Sequence, residues 1–486
     1  MPIQQMLLGS VGKEDDVFQV RVFQGASSLT SSSFQPYNYG CNFHQYSDGS
    51  FVLSGQGYGL TNVNSDTNYT SVMCITNTDA TSIVKSANNW DDNYGTEYTG
   101  VYPKQGSSKD FTLFTQYGYY DSYRGTNRTD WNGRWIMMQD SLSNNLAQLY
   151  KWNWAYNGYY MDTNLWWKHK TGNDYFFCQE DYASTPTSRR NVRWGKMTIT
   201  SSSISCSDYR YMGGQSSNGS KPHCFTHDGT NLYIHGRTED VEGSRTKPFI
   251  MKCTPSGGIS WFKIHWASGQ NNYPQGACEV DSSGNVYYVA RIRKNSAWEC
   301  GIIKLNGSNG DVIYSKQLTT SHECVGSALT GSKLYLAWAY NNNIVLSEHD
   351  TSDASVNWEN TIDFSANGGA YAWSQASPIM QFDKDDNLSL YIRMYDSGSV
   401  IHGNGAALFY GIPSDGSTGN GVAGSVLTYS TTTSLGTISS YTIPSTSSTA
   451  PTNGTCGAGS FSNESSNTHI KFNNTVDQQL TNINDN

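Results

Sequence analysis

The chain has 486 residues, of which 15% are charged and 13% aromatic, and its formal net charge is −9. With no run of Lys or Arg, that balance excludes a nucleic-acid-binding surface, and no apolar stretch approaches the ~18 residues of a membrane-spanning helix. Ten cysteines are too sparse for a disulfide scaffold. They form no CxxC pair and have no histidine cluster beside them, so neither a metal site nor a cofactor is expected. Cys178, Cys224 and Cys278 read as small core residues. Few Lys and Glu beside 33 tyrosines and abundant Ser, Thr and Asn point to a β-rich protein with little helix.

In chain order, residues 1–17 come first. The run Met6-Leu7-Leu8 is too short, and lacks the preceding basic residues, to be a signal sequence. Gly9, Ser10, Val11 and Gly12 then make a flexible joint ahead of the charged Lys13-Glu14-Asp15-Asp16. The opening Met1-Pro2-Ile3-Gln4-Gln5-Met6-Leu7-Leu8-Gly9, followed by Asp15-Asp16-Val17-Phe18, resembles the start of structural proteins of tailed phages from marine bacteria. In those proteins such a segment precedes very different bodies. The resemblance covers about the first 25 residues. It implies a virion-attached tail or appendage protein, made in the bacterial cytoplasm and carried in many copies on the extracellular particle. Its partners would be other virion proteins, and Ile3, Gln4, Gln5, Met6, Leu7 and Leu8 would form the attachment segment. Next, Phe18 to Phe23 alternates apolar and polar residues and reads as a strand. Lying ahead of the first repeat, it is expected to close the ring by pairing with a strand from the region 406–428.

The body repeats. Residues 275–318 read as four short apolar runs separated by Ser-Ser-Gly, Gly-Ser-Asn-Gly and similar breaks, which is strand-and-hairpin chemistry. Aligning the turn before the second run at Ser50, Phe111, Tyr175, Asn231, Asn285, Lys333 and Asn387 gives spacings of 61, 64, 56, 54, 48 and 54 residues. A period near 50 with four strands per repeat predicts an all-β fold, a seven-bladed β-propeller over residues 18–429. Trp261, Tyr314 and Trp358, with Tyr150, Trp152 and Trp154, recur in the last strand of the repeat and are expected to pack blade against blade. The richest insertion runs from Tyr150 to Lys170. Tyr156, Tyr159 and Tyr160 fall in its connection, while Trp166 and Trp167 fall on the innermost strand of the third blade. Flat rings beside Asn and Asp suit a sugar; the alternative is that these rings pack on their own blade.

Residues 430–486 shift to Ser, Thr, Asn and Gly and read as a low-complexity extension unable to fold alone. Ile438, Tyr441-Thr442-Ile443 and Ile470-Lys471-Phe472 are its docking points. Asp383, Asp385 and Asp386 lack the glycine and terminal glutamate of a calcium loop and read as a hairpin turn. No nucleotide-binding, hydrolase or metalloprotease motif appears, so no catalytic residue is assigned. The expected function is a phage virion structural protein, tail or capsid appendage, with host surface glycans as a further contact. The alternatives are a glycan-degrading hydrolase or lyase of a virion and a secreted bacterial lectin or adhesin.

Overall fold

The computed structural model describes residues 19–25, 33–35, 43–58, 69–91, 99–103, 111–117, 133–140, 148–154, 159–160, 165–183, 189–199, 204–213, 219–239, 246–256, 258–265, 276–294, 297–318, 322–340, 343–363, 380–396, 403–417, 428–430, 438–441, 445–447, 453–454, 461–462, 470–473 and 478–482. None of the described residues is helical.

One repeat explains the rest. Strands Cys278–Val280, Val286–Lys294, Ala297–Leu305 and Val312–Leu318 pair in chain order, each antiparallel to the next. The first turn is built by Asp281. One carboxylate oxygen accepts the backbone N–H groups of Ser283 (2.9 Å) and Asn285 (2.8 Å), and the other accepts the Asn285 amide (3.0 Å) and the Tyr287 hydroxyl (2.9 Å). Gly284 supplies the positive φ of +82° that the turn requires. Both faces of the second strand are buried. Val286, Tyr288 and Ala290 pack with Tyr233, Ile250 and Trp261 of the preceding repeat, while Tyr287 and Val289 pack with Leu334, Leu336 and Trp338 of the following one. A sheet sandwiched in this way needs a continuous apolar run, which is what Val286-Tyr287-Tyr288-Val289-Ala290 provides.

The other repeats follow the same order, giving sheets over residues 33–91, 99–154, 159–213, 220–265, 323–363 and 380–412. The first strands of successive sheets lie against one another, so they face the centre and the sheets radiate from it. This is a β-propeller. The ring is closed by the N-terminal strand. Gln19–Gly25 pairs antiparallel with Gly403–Ile412, Val20 opposite Phe409 and Phe23 opposite Ala406. The sheet it completes packs on the sheet 33–91, with Phe43 and Tyr391 ring centroids 5.8 Å apart and the Lys384 N–H donating to the Gln45 amide oxygen at 2.7 Å.

Aromatics of the last strands join neighbours where their side chains are described. Trp261 donates its indole N–H to the Gly307 carbonyl of the next sheet (3.1 Å), and Trp358 donates to the Ser414 carbonyl (3.3 Å). A Cβ on Gly310 would sit 2.8 Å from the Trp261 ring, so this glycine is where the next turn must ride over the indole.

The C-terminal residues, read as an extension that docks on a neighbouring subunit or on the propeller's own flank, have their described strands on the propeller itself. Thr428–Ser430, Ile438–Ser440, Ser445–Ser447, Asn453–Gly454, Phe461–Ser462, Ile470–Asn473 and Gln478–Asn482 each pair antiparallel with the outer strand of one sheet. They visit the sheets in reverse order, from 323–363 back through 33–91, and end on the closing strand Gln19–Gly25. The strand starts recur every 7 to 10 residues, a reach of roughly 25–35 Å at ~3.4 Å per residue, enough to step between the outer edges of adjacent sheets. Such a segment has little apolar surface, but it needs little, because each open sheet edge offers unpaired N–H and C=O groups. Ile438 packs on the core around Leu318, and Tyr441 packs beside Trp261.

Candidate functional site

The ring has two ends. The tight hairpins at 228–231, 281–285, 306–311, 350–355, 383–387 and 413–417 mark one; the opposite ends of the same strands, at Thr238, His265 and Lys294, mark the other.

At the hairpin end, an open cleft of 780 Å³ lies between the sheets 220–265 and 278–318, lined by His227, Asp228, Asn231, Lys252, Asp281 and Ser308 among others. Its polar groups are already used by the fold. Asp228 repeats the Asp281 arrangement, accepting from the backbone of Thr230 and Asn231 and from the side chains of Asn231 and Tyr233 at 2.7–2.9 Å. These bonds pull its carboxyl below the usual range against the opposing effect of burial. His227 donates to the His169 carbonyl at 3.0 Å and accepts from the Gly229 N–H at 3.1 Å. Lys252 donates to the Gly307 carbonyl at 2.8 Å. Asp383 accepts from the N–H groups of Asp385, Asn387 and Gly411 (2.9–3.2 Å), so the acidic trio is a turn, as its sequence suggests. Among the described residues, no group of three or more His, Cys, Asp or Glu is placed to hold a metal.

Toward the other end, the seam between the same two sheets is different. His235 replaces an apolar residue in Leu232–Thr238, and His265 ends Ile259–His265; both are fully buried. The Tyr288 hydroxyl from the facing sheet hydrogen-bonds His265 Nδ1, and the Tyr288 ring lies 5.1 Å from His235 and 5.5 Å from His265. The Phe249 carbonyl, 2.9 Å from His235 Nδ1, can only accept, so that nitrogen carries the ring proton and Nε2 is a bare acceptor. With the Tyr288 hydroxyl as donor, His265 carries its proton on Nε2, a bare donor. Among the described residues neither Nε2 has a partner, nor has His223 Nε2. Burial holds His235 at about 4 and His265 at about 3, with the charge of Lys263 also lowering His265. Burial likewise depresses His223, assisted by Arg237, and raises the Tyr288 phenol well above its ordinary value. Each orphaned buried polar atom costs ~1–3 kcal/mol, and natural folds retain few of them. A facing phenol and imidazole can pass a proton between them, so the seam is the candidate site.

The aromatics selected from sequence are only partly placed. Tyr159 and Tyr160 form a two-residue strand opposite Ala183 and Tyr182, rather than lying in a connection outside the strands. Trp166 and Trp167 are on the first strand of their sheet, opposite Cys178 and Phe177. Tyr156 and the attachment residues Ile3, Gln4, Gln5, Met6, Leu7 and Leu8 lie outside the described residues. The seam histidines escaped the sequence reading because each stands alone in its strand. The signal that could have found them is one imidazole inside an otherwise apolar strand, in Tyr233-Ile234-His235 and Phe262-Lys263-Ile264-His265.

No family model and no curated protein sequence matches the chain. Among solved structures, the polysaccharide lyase Uly1 is similar at 11% identity and a TM-score of 0.48, over 80% of this chain and 97% of the lyase. The GH93 alpha-L-arabinofuranosidase of Fusarium graminearum is similar at 9% identity and 0.41, over 63% and 91%. The Dos1 propeller is similar at 8% identity and 0.41, over 77% and 95%.

Proposed function

We propose that the chain is a structural protein of a phage particle: a seven-bladed propeller, one blade per sheet, carried as a tail or capsid appendage through residues 1–17 and turned toward host surface glycans. The C-terminal strand series supports this reading best. It covers the outer edge of every sheet with the chain's own backbone, which removes the templates on which exposed edges pair and aggregate. A protein crowded in many copies on a particle outside the cell, beyond chaperones, has the strongest need of such sealing. Mass spectrometry of purified particles tests the reading, together with a deletion of residues 2–12. The truncated protein should remain a folded propeller and disappear from particles; if it still assembles at normal copy number, the segment is not the anchor.

A second reading, a polysaccharide-cleaving enzyme, is favoured by one observation, the Tyr288–His265 pair with its facing orphaned nitrogens. A panel of neutral and acidic polysaccharides, assayed for shortening, separates the two. A polymer cleaved by wild type and spared by Tyr288→Phe would make the enzyme reading the correct one.

A further inference from the structure

Charge is sorted between the two ends of the ring. Asp228, Asp281, Asp311, Asp350 and Asp383 all stand in the turns of the hairpin end. At the opposite end of the sheet 220–265 the excess is positive. Lys221 lies directly across from Arg237 on the neighbouring strand. The two cations therefore share one face of the sheet, an arrangement that costs stability unless an anion relieves it. Arg237 is half-buried, and among the described residues no hydrogen bond or ion pair holds its guanidinium. The neighbouring acids are engaged elsewhere. Glu239 accepts from the Thr246 hydroxyl at 2.8 Å, Glu279 accepts from the Ser327 hydroxyl at 2.7 Å, and Glu323 pairs with Arg291.

Strand alternation puts Arg237 on the same face as His235, whose ring meets Tyr288 of the sheet 278–318. Two residues beyond His235, about 7 Å along the strand, Arg237 stands at the mouth of the same seam. The facing strand carries Ala290 two residues beyond Tyr288, paired with Gly301, so these positions bring no bulk to the mouth. His223 sits in the bulge between the pairs Pro222–Gly236 and Cys224–His235, and its Nε2 has no partner among the described residues. Resting on the reading that the propeller is turned toward host surface glycans, we propose that this mouth binds an oxyanion, the carboxylate or sulfate of an acidic glycan, on the Arg237 guanidinium. A guanidinium presents parallel N–H groups that match such a group, and Lys221 adds a second charge. The bound anion relieves the repulsion between the two cations. The acidic hairpin end repels the same polymer, so the ring meets it with the opposite end.

The test reads the retardation of wild-type protein in native gels containing polygalacturonate, dextran sulfate or neutral dextran. At least one acidic polymer should retard it and dextran should not, and the more effective polymer tells carboxylate from sulfate. In Arg237→Gln the acidic retardation should weaken roughly tenfold or more. Arginine labelling of wild type with phenylglyoxal, mapped by mass spectrometry, needs no variant: Arg237 should label in the free protein and be protected by the acidic polymer. Equal binding of dextran overturns the proposal and leaves the glycan contact standing. Acidic binding that leaves Arg237 fully labelled does the same. Binding to none of the polymers overturns the proposal and the glycan contact together, while mass spectrometry of particles decides the virion role independently.

Discussion

The two ends of the seam between the sheets 220–265 and 278–318 are made of similar residues put to opposite use. At the hairpin end, Asp228, Asp281, His227 and Lys252 each spend their hydrogen-bonding capacity on turns and on the neighbouring sheet. At the other end, His235 and His265 are buried, and each keeps an Nε2 that nothing among the described residues satisfies. The end with the open cleft is thus scaffold. The other end carries the unspent chemistry. The orphaned atoms are a better guide to function here than the cleft.

The largest effect expected is from acid. His235 is held at about 4 and His265 at about 3, against an unfolded value near 6.5. Between pH 6.5 and about 4 the unfolded chain binds protons that the folded ring refuses. Stability is therefore fully present above 6.5 and is lost as the pH falls through this window. The slope is ~1.4 kcal/mol per pH unit for each such histidine. Urea midpoints at pH 7, 5.5 and 4.5 check this. The carboxylates of Asp228, Asp281 and Asp350, all lowered below the ordinary carboxylate value, do not titrate in that window. A flat profile would mean that the seam is open to solvent and the contrast between the ends false.

Next comes Gly307→Ala. A Cβ there would run into the Gly284 carbonyl, a backbone atom that cannot swing aside. The same turn also receives Trp261 and Lys252 through the Gly307 carbonyl. A loss of about 3 kcal/mol is expected, read by chemical denaturation. Asp281→Ala should cost about 2 kcal/mol, because it orphans two backbone N–H groups in the turn; Tyr287→Phe, which removes one of the four bonds, should cost about a third of that. A modest effect is expected at the other end. His235→Leu should cost no more than ~2 kcal/mol, since removing the unpaired Nε2 offsets only part of the lost Nδ1–H bond to the Phe249 carbonyl. A loss above ~3 kcal/mol would show that His235 Nε2 is engaged after all, and the comparison would fail.

Local rules made much of the propeller legible. Asp228-Gly229-Thr230-Asn231 and Asp281-Ser282-Ser283-Gly284-Asn285 specify their turns with their own side chains, and the alternation in Phe18 to Phe23 gave away a strand that needed a partner. Trp261 and Trp358 were readable as links between sheets because they recur. The C-terminal series was not, because Ser445-Thr446-Ser447 or Asn453-Gly454 carries no pattern. What holds such a triplet is the partner's open backbone, which no side chain announces. Only Ile438, Tyr441 and Ile470 to Phe472 hinted at it. The seam was invisible for a related reason: His235, His265 and Tyr288 meet only after two sheets have formed and stacked.

The backward-running tail also constrains how this chain can evolve. Sheet number is written twice, once in the repeats and once in the series of short strands that must match them one for one. Duplicating or deleting one repeat would be the simplest way to change sheet number. Here a duplication would leave one new sheet without its outer strand, and a deletion would leave the tail with a strand too many. Either change must be answered at the far end of the gene by a gain or loss of about eight codons. The tail is therefore a ratchet on copy number, and variants that alter only one of the two should be rare.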